Sequence, residues 1–69
     1  MLTNRQIEVI KLLCFSNFEI ARRLRITPNT VKNYIGDIFN RLGTDNRQCA
    51  QIKAVKLGIV KLDEIITEG

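Results

Sequence analysis

Sixty-nine residues make one small domain at most, with a marginal core, because a chain this short leaves a large share of its surface in water. It has no His, and its two cysteines, Cys14 and Cys49, lie far apart. The commonest general base and any zinc or CxxC redox motif are therefore missing, and no enzyme activity, cofactor or metal is expected. The net charge of +4 is uneven: residues 1–60 hold ten Lys/Arg against Glu8, Glu19, Asp37 and Asp45, a surplus of +6, whereas Lys61 against Asp63, Glu64 and Glu68 leaves the tail at −2. A basic body suits a polyanionic partner. No apolar run approaches the roughly 18 residues that suggest a membrane span. No charged segment, apolar run and cleavage site of a secretory leader is seen, so no secretion is expected. The expectation is a cytoplasmic protein with reduced thiols and no membrane partner.

No internal repeat and no strand-like alternation interrupts the chain, so an all-α, compact four-helix domain is predicted. The first helix starts at a capping box, Thr3-Asn4-Arg5-Gln6, with Leu2 as the hydrophobic staple. Ile7, Val9, Ile10, Leu13 and Cys14 follow as its apolar face, Cys14 reading as a small buried hydrophobe. Ser16-Asn17-Phe18-Glu19 is a second box and opens a short helix, 17–24, with Ile20, Ala21 and Leu24 inward. The third helix, 28–42, has Thr27 as N-cap, Pro28 at its first position and Gly43 as its left-handed stop. A fourth is expected from Asp45, with Gln48 closing a box, to Leu57 before Gly58; Ala50, Ala54 and Leu57 share its inner face. Ile59, Val60 and Leu62 fold back, residues 1–62 form the domain, and the tail 63–69 frays.

Two short helices joined by the turn Arg25-Ile26-Thr27 make a helix-turn-helix, a motif whose second helix enters the DNA major groove. The turn lacks the frequent Gly. At 100° per residue, Val31, Ile35, Ile38 and Leu42 fall within about a 60° arc. Asn29, Lys32, Asn33, Gly36 and Asn40 lie opposite. A merely solvated face usually carries good helix formers such as Glu and Lys. This one carries three Asn and a Gly, which costs about 1 kcal/mol against Ala. Asn can pair bidentately with adenine, and a Gly lets the helix backbone approach base edges. Arg22, Arg23 and Arg25 point in different directions, so at most one or two of them can meet phosphates.

The run SNFEIARRLRITPNTVKNYIGDIFNRLG, residues 16–43, resembles the LuxR/GerE-type helix-turn-helix family, and LTNRQIEVIKLL and NRQCAQIKAVKLGIV resemble that family's two ends. The resemblance covers residues 2 to about 60. It implies a sequence-specific, double-stranded DNA-binding transcriptional regulator of bacterial type, either stand-alone or part of a larger regulator. It carries base contacts onto Asn29, Lys32, Asn33 and Gly36, and phosphate contacts onto Asn17, Thr30, Lys32 and Arg47. It also implies a weak homodimer on two half-sites through the fourth helix. There Ile52 and Val55 form a second apolar set, expected roughly opposite Ala50, Ala54 and Leu57. RNA polymerase is a further candidate partner. The connection from Leu13 to Ser16 is about two residues shorter than the family's and has no Gly. The rival reading is a helix-turn-helix module that binds protein and has lost DNA binding; an acidic or strongly apolar face in place of Asn29, Lys32 and Asn33 would favour it.

Overall fold

The computed structural model describes residues 2–66. They form four α-helices and no strand: α1 (Asn4–Lys11), α2 (Asn17–Leu24), α3 (Pro28–Leu42) and α4 (Arg47–Lys56), then a 3-10 turn at Leu62–Glu64. The long α3 is central and packs on each of the other three helices. Its Val31, Ile35, Ile38 and Leu42 meet Val9 and Ile10 of α1, Ile20 and Ala21 of α2, and Ala50 and Ala54 of α4 in one core. Burial of Val9, Ile10, Ile20, Val31 and Ile38 is complete or nearly so. Each contributes about 1.5–3 kcal/mol relative to exposure.

Side-chain caps set where the helices begin. Thr3 and Gln6 form the reciprocal box at α1, and Thr27 Oγ1 accepts from Thr30 N–H at 3.1 Å at α3. At α2 only half of the expected box forms. Ser16 Oγ accepts from Glu19 N–H, but the Glu19 carboxylate turns to Arg22 and Arg23. At α4 the cap is Asn46, not Asp45: its Oδ1 accepts from Cys49 N–H at 3.0 Å, and Gln48 closes no box.

Three helix ends share one backbone motif. The amide of the residue after a left-handed position reaches back five residues: Ile26 to Ala21 O, Thr44 to Phe39 O and Ile59 to Ala54 O. This Schellman arrangement satisfies carbonyls that the helix leaves open, and its left-handed position favours Gly. Gly43 (φ 66°) and Gly58 (φ 75°) meet that preference, but in the helix-turn-helix the position is taken by Arg25 (φ 59°). A non-Gly residue there costs about 1–2 kcal/mol.

The end of α1 and the connection after it depart from the sequence expectation. The helix stops at Lys11, and the chain runs on through i to i+3 turns at Leu12, Leu13 and Phe15. Leu12, Leu13 and Phe15 are buried, whereas Cys14 is exposed, because the helical phase that placed it inward has already ended. Leu57 is likewise 68 % exposed, lying just past the last turn of α4. Residues 63–66, expected to fray, are tied to the body. Ile66 N–H donates to Lys11 O at 2.9 Å, and Glu64 lies 3.7 Å from Lys11 Nζ. The Glu64 carboxyl is held below its ordinary value, first by the Lys61 backbone N–H and then by the charges of Lys11 and Lys61. The rest of that tail, 67–69, lies outside the described residues.

Side chains of α4 complete the fold by meeting carbonyls that no helix satisfies. The buried Gln51 donates through Nε2 to Ile10 O at 2.9 Å, and its Oε1 accepts from Cys14 Sγ at 3.6 Å. Arg47 donates to Leu13 O and Phe15 O at 3.3 and 2.8 Å. Lys53 Nζ donates to Leu42 O and Gly43 O at the end of α3, where the helix dipole also favours a cation. Among the described residues no buried side-chain nitrogen or oxygen lacks a partner.

Candidate nucleic-acid interface

The outward face of α3 follows directly from its inward one. With Val31, Ile35, Ile38 and Leu42 fixed in the core, Asn29, Lys32, Asn33, Gly36 and Asn40 are all exposed. Their side chains make no hydrogen bond or ion pair among the described residues, so their donors and acceptors face water. Nothing lies within 4 Å of where a Gly36 Cβ would sit. Packing inside the protein therefore does not require that glycine. Thr30, at the edge of this face, is half-buried, and its hydroxyl pairs with that of Thr27 at 2.8 Å. Tyr34 and Phe39 flank the core half-buried.

The start of α2 is the second part of the surface. Asn17 is its first residue, and its Oδ1 accepts from Arg47 Nη2. Because a guanidinium only donates, this bond fixes the amide orientation and leaves the two Asn17 Nδ2 hydrogens for another acceptor. Arg47, expected at a phosphate, spends its Nη groups on Asn17 and on the carbonyls of the preceding connection. Sequence reasoning missed this bracing role, because its acceptors lie 30–34 residues away.

Arg22 and Arg23 form no open basic patch. Both bind the Glu19 carboxylate, and their hydrogen bonds, that of Arg22 first, hold it below its ordinary value of 4.5. The Arg23 guanidinium also stacks over the Phe15 ring, 4.2 Å from its centroid. Arg25, Lys32 and Arg41 are exposed and carry no such pairing among the described residues.

The outer flank of α4 holds the expected dimer residues in unequal settings. Ile52 is 54 % exposed, whereas Val55 is half-buried against the core. With Cys14, Leu62 and Ile65 they line an apolar groove of about 480 Å³. Val55 is thus a side-facing residue of α4 and does not lie opposite Ala50 and Ala54.

A capped helix, a tight turn and a second helix with a bare Asn/Lys face, on a compact all-α frame, define a helix-turn-helix DNA-binding domain. Residues 1–54 match the family model described as GerE, bacterial regulatory proteins of the luxR family. The chain belongs to this family.

Named relatives agree. It is 42 % identical over 60 residues to the transcriptional regulatory protein LnrK of Bacillus subtilis, covering 84 % of this chain and 27 % of that one. It is 43 % identical over 47 residues to the putative HTH-type transcriptional regulator y4qH of Sinorhizobium fredii, covering 68 % of this chain and 14 % of that one. With the transcriptional regulatory protein DegU of Brevibacillus brevis the identity is 34 % over 64 residues, covering 90 % and 27 %. The chain therefore spans about a quarter or less of the length of these curated relatives. No solved structure matches it. Among the described residues no helix is long and apolar enough to cross a membrane.

Proposed function

We propose that this chain binds double-stranded DNA sequence-specifically as the reading domain of a transcriptional regulator, with α3 in the major groove. The observation that carries this reading is the exposed, unpartnered set Asn29, Lys32, Asn33 and Gly36 on a helix whose opposite face is locked in the core. Asn29 and Asn33 read base edges. Lys32 meets a base or a phosphate, and the glycine permits close approach. Asn17 and Thr30 set the register through phosphates, and Arg47 serves the Asn17 contact by orienting its amide. Two copies occupy two half-sites through the outer flank of α4, around Ile52. The surface does not suit the adaptor rival, because the Asn29/Lys32/Asn33 face is neither acidic nor apolar.

Selection of bound sequences from random duplexes, followed by titration of the best duplex at several salt concentrations, tests the proposal. The expected result is a defined site whose affinity falls steeply with salt, as counterion release requires. No selected sequence, or an affinity flat across salt, would overturn it in favour of the adaptor.

A further inference from the structure

Helices α2, α3 and α4 end in the same Schellman motif, and its left-handed position is Gly43 after α3 and Gly58 after α4 but Arg25 after α2. The exception stands in the helix-turn-helix turn, two residues before the N-cap of α3. Local packing does not explain it: the Arg25 side chain is exposed and makes no hydrogen bond or ion pair among the described residues. Four cations lie between Ser16 and Asn33. Arg22 and Arg23 share the single carboxylate of Glu19, so Arg25 and Lys32 alone among these four have no ion-pair partner among the described residues. A strained backbone position filled by a free cation, where two equivalent positions take the relaxed residue, indicates that the side chain is used.

We propose that Arg25 is a phosphate-binding residue of the turn, gripping the DNA backbone beside the groove that α3 occupies. This rests on the DNA-binding reading above. Replacement by a residue at ease in the left-handed region should improve folding and weaken binding together, which a purely structural role cannot do.

The test uses the variants Arg25→Gly, Arg25→Asn and Arg25→Lys on the selected duplex. Arg25→Gly is expected to raise the melting temperature by about 4–8 °C. Arg25→Gly and Arg25→Asn should lower affinity for all duplex sequences by roughly three- to tenfold at low salt and reduce the salt slope by about one unit. Arg25→Lys should keep the slope. If the unaltered protein binds the duplex and Arg25→Gly binds it with the same affinity and slope, the proposal for Arg25 is overturned and the DNA reading stands. If the unaltered protein binds no duplex, the DNA reading itself falls, and this inference with it.

Discussion

In the proposed interface, single side chains on α3 have separable tasks. Asn33 is exposed with both amide functions free, so Asn33→Ala should cost about 1–3 kcal/mol on the best site and blur preference at one base pair. Lys32→Ala should weaken binding to every sequence and, for a phosphate contact, lower the salt slope by about one unit. Neither residue touches the core, so both variants should melt as the parent does. A folded Asn33→Ala protein with unchanged base preference would remove Asn33 from the readout. Gly36 separates stability from function in the opposite direction. A methyl group there meets open space, so Gly36→Ala should stabilise α3 by about 1 kcal/mol. It should also weaken DNA binding if the helix backbone lies close to the bases. Thermal melts and mobility shifts on the same preparation read both effects, and unchanged affinity would assign Gly36 no role at the interface.

The helices differ in how much of themselves they declare locally. α2 and α3 were legible because a cap and an apolar period of one helical turn coincide within each segment, with a proline at the first position of α3 as well. The start of α4 was not, because Asp45 and Asn46 offer competing caps one residue apart. The observed choice turns Arg47 and Gln51 toward the carbonyls around the end of α1, which no local pattern reveals. The Cys14 and Leu57 assignments failed for a related reason: a helical period was extended past the point where the helix had ended. The absent turn glycine was visible in the sequence, but that Arg25 takes its backbone conformation was not. Gln51 gives the element-level prediction. Gln51→Ala removes one of two donors to Ile10 O, which keeps the 3.3 Å bond from Leu13 N–H, and should cost about 1 kcal/mol. That is still a sizeable share of the roughly 3–10 kcal/mol expected for a domain of this size. A melting temperature within a degree of the parent's would show that the brace contributes little.

At the scale of the molecule, the proposed DNA-reading face on α3 and the proposed self-association flank on α4 are different surfaces, so the two can be altered independently. Because Val55 packs partly against the core, Ile52→Glu alone is the appropriate probe of the α4 flank. It should leave folding and single half-site binding intact and abolish cooperativity on paired half-sites, measured by mobility shift; retained cooperativity would place the contact elsewhere. The brace formed by α4 also has a consequence for how the protein is made. Synthesis releases the chain from its N-terminus, so the whole helix-turn-helix is out once Gly43 has appeared. The side chains that complete the carbonyls of Ile10, Phe15 and Leu42 lie at positions 47, 51 and 53, all still to come. A chain halted at Gly43 should therefore show weak amide protection in hydrogen exchange and no duplex binding, although it contains every proposed base-reading residue, whereas one extended through Ile66 should show strong protection and binding. The proposed reading head is completed from behind, by a helix made after it.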